Sequence, residues 1–392
     1  MNLHGSRAFV TSFIAGLMAI TIALACASMA LAQGGATATP ATPKVAVSDT
    51  PAPSSPYAWT KLTTEAYQGK QDDIHFVSPL VGLYVNGAGR IYCTKDGGTT
   101  WDKKFEKPGT FFRCVAFLDE QRGFAGNIGP DYFPNVTDTT PLYRTSDGGT
   151  TWEAVQIEGD LVKGLCALEV VRYPFINAGN LGEKTLIVGA GRVGTPAVFI
   201  KSIDEGKTWT ATDMSNYCQM ILDVHFFDDR NGIIAAATDA SVQQSSALIL
   251  TTNDGGETWD TTYQGERAFE LTWKISFPTR NTGYVTIQSY DPDPTASMRY
   301  VAKTTDGGRT WKELELVDDA KVRQFGIAFI DEKTGWVGAV PNGFETTDGG
   351  ATWQKTAIGN AVNKIRLLKT IDGFVGYAIG VNVFKLEHKG AK

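Results

Sequence analysis

Thr304-Thr305-Asp306-Gly307-Gly308-Arg309-Thr310-Trp311 decides how this chain is read, because the phrase occurs six times. Its other copies run Thr94–Trp101, Thr145–Trp152, Ser202–Trp209, Thr252–Trp259 and Thr346–Trp353; in the Ser202 copy Glu205 replaces the first glycine. The aspartates Asp96, Asp147, Asp204, Asp254, Asp306 and Asp348 are spaced 51, 57, 50, 52 and 42 residues apart. A period near fifty residues with β-type flanks is the spacing of a four-stranded propeller blade. Each residue type has a job in such a turn. The carboxylate accepts backbone N–H bonds from its own loop. The glycines supply left-handed backbone, and Glu205 suggests that the second one is the stricter. The tryptophans Trp101, Trp152, Trp209, Trp259, Trp311 and Trp353 open the next strand and bury a large apolar surface.

A second rhythm lies upstream. Phe76 and Gly82, Phe117 and Gly123, Phe226 and Gly232, Phe277 and Gly283, and Phe329 and Gly335 are each six apart. The phenylalanines close alternating strands such as Ile74-His75-Phe76, and the glycines open the next. After Trp353 the chain supplies three more strands, around Asn363–Leu368, Gly373–Gly380 and Val381–Leu386, without a further aspartate turn. Tyr57–Leu62 has the character of the missing fourth, with Trp59 in the tryptophan position. The expectation is an all-β, seven-bladed propeller of four-stranded antiparallel blades, closed by an N-terminal strand in the last blade. The third blade is expected to be irregular, interrupted by Arg172–Lys184 between its first two strands.

The 392 residues carry a formal charge of −6, with acids and bases interspersed, which argues against a nucleic-acid partner. Residues 1–32 have the pattern of a secretory signal: Arg7, an apolar stretch from Phe13 to Ala27, and Ala30-Leu31-Ala32 before the expected cleavage point. An uncleaved anchor, or lipidation at Cys26, is the alternative. Residues 33–56, rich in Ala, Thr and Pro, read as a flexible linker, leaving 57–392 as the propeller. The product is expected in the periplasm, a lumen or the medium. Cys93, Cys114, Cys166 and Cys218 allow two disulfides or four buried thiols. Their spacing disfavours zinc and haem, and no metal or cofactor is expected.

The six repeats carry the Asp-box (BNR) motif, and the whole-chain pattern resembles the photosystem II stability/assembly factor family. Phe329-Ile330-Asp331 through Gly335-Trp336 shows the same rhythm. The resemblance implies a non-catalytic scaffold of the cell envelope whose partner is a protein, including a membrane-protein complex. It leaves the photosynthetic context open. The alternatives are a sialidase-type glycoside hydrolase and an extracellular carbohydrate-binding or adhesive propeller.

The hydrolase reading is the weaker. The Arg-Ile-Pro signature of sialidases is missing before the first repeat, and Arg172-Tyr173-Pro174 stands in the wrong place. Asp131, Glu266, Glu270, Asp291 and Asp293 are carboxylates in loops whose convergence the sequence leaves open. Beyond the signal, His75, His225 and His388 are the only histidines, and the first two read as polar lining of the central channel.

Long loops between second and third strands single out one rim. Asn127–Pro141 and Ser289–Met298 carry Tyr132, Phe133 and Tyr290 beside prolines. Rigid aromatics on stiff loops suit protein recognition; the alternative is that they merely cap the blade ends. With Arg113 and Arg192 nearby, they form the candidate partner site. Arg113, Lys274, Lys364 and Arg366 fall on first strands, which predicts a basic entrance able to take an anionic ligand or an acidic segment.

Overall fold

The computed structural model describes residues 55–177, 180–371 and 373–389. The expected signal segment, and the linker up to residue 54, lie outside the described residues. The described residues belong to one compact unit.

The described residues form seven sheets and no helix. In five of the seven sheets the strands follow chain order from the inside outwards. The inner strands are Asp73–Phe76, Phe112–Phe117, Ala167–Asn177, Met220–Phe226, Glu270–Ser276, Arg323–Phe329 and Lys364–Thr370. Each packs on the inner strand of the next sheet, and Lys364–Thr370 packs back on Asp73–Phe76. The last sheet takes its outer strand from the other end of the chain. Tyr57–Lys61 lies antiparallel on Val383–His388, with Tyr57 opposite His388 and Lys61 opposite Phe384.

The two sequence rhythms meet in space. Each phenylalanine sits opposite its glycine across the first strand pair, as Phe277 does Gly283 by the register of the neighbouring Ser276 and Tyr284. A Cβ on any of the five glycines would overlap the facing ring. The turn tryptophan then meets the same ring edge-on: Phe76–Trp101, Phe117–Trp152, Phe226–Trp259, Phe277–Trp311 and Phe329–Trp353 all have centroids 6.0–6.1 Å apart. The third sheet lacks the phenylalanine, and Trp209 packs instead on Phe124 of the second sheet at 5.2 Å.

The aspartate turns bond as expected. In the fifth sheet the Thr310 N–H donates to Asp306 Oδ1 (2.9 Å) and the Thr310 hydroxyl to Oδ2 (2.6 Å). The Thr304 hydroxyl donates to Oδ1 (2.8 Å) and accepts from the Gly308 N–H (3.0 Å). Both glycine positions have positive φ, and Glu205 takes the first of them at 59°. The second is additionally closed by packing: a Cβ at Gly308 would stand 2.8 Å from Ile233 of the preceding sheet.

The third sheet departs from expectation in two ways. Glu158–Gly159 adds a fifth strand, parallel to Thr210–Asp213. Arg172–Lys184 does not interrupt the sheet either. It continues the first strand pair outwards as a hairpin, with Tyr173 opposite Lys184 and Ile176 opposite Leu181. Val170, Val171, Tyr173 and Phe175 favour extended backbone, and Pro174 is tolerated at an edge. The four cysteines are separate buried thiols, not bridges. Burial pushes Cys93 and Cys218 up to about 12, so neither is a ready nucleophile.

Candidate functional site

Strand direction gives the ring two ends. One carries the aspartate turns, tied to the first hairpin turn of the same sheet by bonds such as Gly97 N–H to the Leu80 carbonyl (2.9 Å). The other, the mouth, carries the long loops and the segments that lead into the inner strands.

At the mouth an apolar cluster reaches across five sheets. Ile128, Cys166, Leu222, Trp273 and Phe325 belong to its buried part, and Phe111, Phe133 and Tyr290 are among the residues that pack against it. Tyr132 meets Phe133 edge-on at 4.8 Å, and Phe133 lies 4.8 Å from Phe111. The guanidinium of Arg323 covers the Tyr290 ring at 4.2 Å. Burial raises the phenols of both tyrosines, Tyr290 to about 12, and both feel the charge of Arg113. The three aromatics chosen from sequence therefore converge on one mouth. Of the three, Tyr132 is the one that stands exposed.

Arg113 and Arg192 reach the same region but are buried, 5 % and 3 % exposed, so their charge is used internally. Arg113 ion-pairs with Asp72 and lies over the Trp273 ring at 5.2 Å. Arg192 donates to the carbonyls of Ile128 (3.1 Å) and Pro130 (2.5 Å), and its other nitrogen is 3.7 Å from Asp131. It braces the loop that presents Tyr132.

Below the aromatics lies a ladder of charges. Lys70 donates to Asn363 Oδ1 (2.8 Å), faces Asp72 (3.3 Å), and lies 5.4 Å from both the Trp273 and Phe325 rings. The Trp273 indole N–H donates to the same Asn363 oxygen at 3.0 Å. Burial, reinforced by Arg113, pulls the Lys70 ammonium down to about 7. Lys274 donates to the Leu222 carbonyl (2.6 Å), and burial lowers it to about 8. Lys364 pairs with Asp223 at 2.9 Å and Arg366 with Asp73 at 3.0 Å. The basic entrance read from sequence is thus four cations sharing three carboxylates, Asp72, Asp73 and Asp223.

Those carboxylates do a second job that the sequence reading missed. An inner strand has a sheet partner on one side only, so its other edge presents unpaired N–H groups. Asp73 accepts from Val115 N–H (3.0 Å), Glu169 from Phe226 (2.9 Å) and Asp223 from Ile275 (3.0 Å). Ser276 accepts from Phe329 at 3.0 Å. Each bond stitches one sheet to the next. Acidic residues inside otherwise apolar strands, as in Asp72-Asp73-Ile74-His75-Phe76, were the available signal.

A polar cavity of about 190 Å³ opens on the axis, lined by Glu169, Asp223, His225, Ser276, Lys364 and Arg366 among others. His225 Nδ1 lies 2.8 Å from Glu169; burial opposes its protonation but Glu169 outweighs it, and the imidazole pKa is raised. Burial, then Arg366, drives His75 down to about 3, which keeps it neutral. Of the carboxylates considered for hydrolysis, Glu270 stands not in a loop but at the start of the inner strand Glu270–Ser276, and four of them are engaged locally. Glu270 pairs with Arg267 at 2.8 Å, Asp131 with Lys163 at 3.2 Å, and Asp291 and Asp293 close their own turn. Arg172 lies on the third-sheet hairpin, 3.7 Å from Glu183, at the end opposite the mouth.

No family model matches the chain. Among curated proteins it is 26% identical over 207 residues to photosystem II assembly protein Ycf48 of Synechococcus sp. (strain JA-3-3Ab), covering 45% of this chain and 59% of that protein. Photosystem II assembly lipoprotein Ycf48 of Picosynechococcus sp. is 34% identical over 98 residues, 24% of this chain and 26% of the relative. The matched stretch therefore spans less than two thirds of these relatives. Two solved structures agree over nearly their whole length. YCF48 from Cyanidioschyzon merolae has a TM-score of 0.59 at 16% identity, covering 84% of this chain and 98% of that one. YCF48 bound to D1 peptide has 0.56 at 16%, covering 86% and 97%. The fold is that of the Ycf48 propellers. A GH74 xyloglucanase from Xanthomonas campestris also reaches 0.56 at 14% identity, covering 86% of this chain and 54% of the enzyme. The architecture alone therefore does not choose between binding and hydrolysis.

Proposed function

We propose that this chain is a non-catalytic, Ycf48-like propeller of the cell envelope that binds a segment of a partner protein, itself part of a membrane-protein complex, at its mouth. The observation that carries the reading is the convergence of Tyr132, Phe133 and Tyr290 around Trp273, with Arg113 and Lys70 beneath. Aromatic anchors over a floor of ion-paired cations are the chemistry of a protein hot spot. That a propeller of this fold is known bound to a D1 peptide supports a peptide as the ligand class. Exposed Asp131 and Lys163 at the rim give the incoming segment both signs of charge to pair with. The hydrolase reading finds less support, because the axial carboxylates are committed to N–H groups and cations.

The test is recovery of partners from detergent-solubilised membranes of the source organism on immobilised full-length protein. A discrete membrane-protein complex recovered at stoichiometric yield supports the reading. Turnover of a glycan substrate by the same preparation, with no protein recovered, overturns it.

A further inference from the structure

The axial cavity is not part of the mouth. Arg113 of the second sheet lies over Trp273 of the fifth, so these two side chains cross the axis, and Lys70 and Asn363 fill in beside them. The cavity lies beyond this plug, where the inner strands run towards the aspartate turns, and its lining includes Ser276, Phe277 and Phe329 from the far ends of those strands. Lys364 spans it from the seventh sheet to Asp223 of the fourth at 2.9 Å.

Its acceptors are used up and its donors are not. Asp223 takes Lys364 on both oxygens and the Ile275 N–H on one. Glu169 takes His225 Nδ1 on one oxygen and the Phe226 N–H on the other. Asp73, behind Arg366, takes Nε and one Nη of that guanidinium together with the N–H groups of Val115 and Ile74. Among the described residues nothing pairs with Arg366 Nη1, with His225 Nε2, or with the hydrogen of the Ser276 hydroxyl, whose oxygen receives the Phe329 N–H. Lys364 keeps a further hydrogen beyond those aimed at Asp223. These donors come from the fourth, fifth and seventh sheets and line one space of about 190 Å³.

The charges agree. Lys274, Lys364 and Arg366 stand around Asp223 and Asp73, three cations to two carboxylates. Glu169 of the third sheet is balanced by His225 once the imidazole is protonated. Asp223 on its own strand and Lys364 also face that imidazole, Arg366 lines the same cavity, and the fifth sheet offers only Ser276 and the Phe277 ring, stacked at 5.4 Å. One positive charge in excess, in a confined polar space, is the setting for a single anion. The surrounding carboxylates oppose a dianion, and the space is larger than a halide fills.

We propose that the axial cavity binds a small organic monocarboxylate, held by Arg366 Nη1, Lys364 and the Ser276 hydroxyl, with His225 Nε2 as a further donor. Hydrogen bonds between ionised partners are the strong ones, and four converge here. His225 donates from Nε2 only when protonated, so binding takes up a proton there. Burial disfavours that form, Glu169 outweighs burial, and the bound carboxylate acts in the same direction as Glu169.

The experiment titrates the full chain with sodium acetate, inorganic phosphate and ethylammonium chloride at constant ionic strength, following heat and the imidazole NMR signals of His225. Acetate should saturate a single site, move His225 towards its protonated signals, and bind less tightly as pH rises from ~6 to ~8. Arg366→Gln and His225→Gln should each weaken binding about tenfold or more, and His225→Gln should flatten the pH dependence. Tyr132→Ala at the mouth should change nothing. Glutamine at 225 can still donate to Glu169, whereas Arg366→Gln strips a partner from Asp73; if neither variant folds, the wild-type imidazole response decides. No saturation by acetate, tighter binding of phosphate, binding of ethylammonium, or acetate binding that leaves His225 unmoved or survives both folded variants overturns the proposal. So does acetate binding lost with Tyr132→Ala, which would place the anion at the mouth.

Discussion

The indole of Trp311 meets the ring of Phe277 edge-on, 6.1 Å between centroids and 87° between planes, while the other side of that ring leaves no room for a Cβ at Gly283. Three residues far apart in the repeat thus make one packing unit. Gly283→Ala should destabilise the protein by about 1–3 kcal/mol through overpacking. Phe277→Leu should cost less in the Gly283→Ala background than in the wild type. Denaturant unfolding of the four proteins of this double-mutant cycle measures the coupling; strictly additive effects would mean that ring and glycine do not touch.

The aspartate turns set an acid limit. Hydrogen bonds from Thr100 hold Asp96 at about 2, and those from Thr151 hold Asp147 at about 2. Their folded pKa lies below the unfolded one, so the stability they contribute is complete above pH ~4 and is lost as pH falls through ~2. Midpoints of unfolding should drop steeply in that window. Asp254→Ala, at an exposed turn where water replaces part of the lost bonding, should cost about 1–2 kcal/mol at neutral pH and flatten the acid slope. A slope that is unchanged would show that these turns do not drive the acid limit.

Lys70 makes the opposite kind of prediction. Its folded pKa near 7 lies below the unfolded lysine value, so between pH ~7 and ~10.5 the unfolded chain holds the extra proton and stability rises with pH. Lys70→Met removes that dependence. Relative to wild type the variant should gain most below pH 7, and the difference should shrink towards pH 10. A difference that is flat across this range would place the ammonium in solvent.

Deletion of Tyr57–Lys61 should strip the outer strand from the last sheet and expose the edge of Val383–His388. The thermal midpoint should fall and the deleted protein should self-associate, by calorimetry and light scattering. Unfolding identical to wild type would show that the pairing contributes nothing.

The repeat was legible because its residues are tied to backbone geometry. A glycine that must take positive φ, or lie under a ring, shows itself directly, as Gly308 and Gly283 do. Tyr57–Lys61 could be placed because Trp59 mimics a turn tryptophan, and in the structure it packs on Trp336 at 5.7 Å. The third-sheet hairpin was hidden because Pro174 breaks the β-prone run Val170–Phe175. At the mouth, Tyr132, Phe133 and Tyr290 were found by composition and loop length. The role of Arg113 was not, because Asp72, forty-one residues earlier, becomes its partner only when the first and second sheets pack together. The stitching carboxylates escaped for the same reason: they bond to strands that are neighbours in space through the next repeat.

The account's central claim is that the mouth binds a partner protein. The direct measurement is recovery of the membrane complex by full-length protein carrying Tyr132→Ala, Phe133→Ala and Tyr290→Ala together. Aromatic anchors cost about 2 kcal/mol or more each when truncated in an interface, so recovery should fall at least tenfold; Phe133 and Tyr290 pack on the buried cluster, so the thermal midpoint of the triple variant should fall too, whereas Tyr132→Ala alone, at the exposed ring, should lower recovery with the midpoint kept. Full recovery by the triple variant, with loss caused instead by folded variants of the aspartate-turn face, would contradict the account.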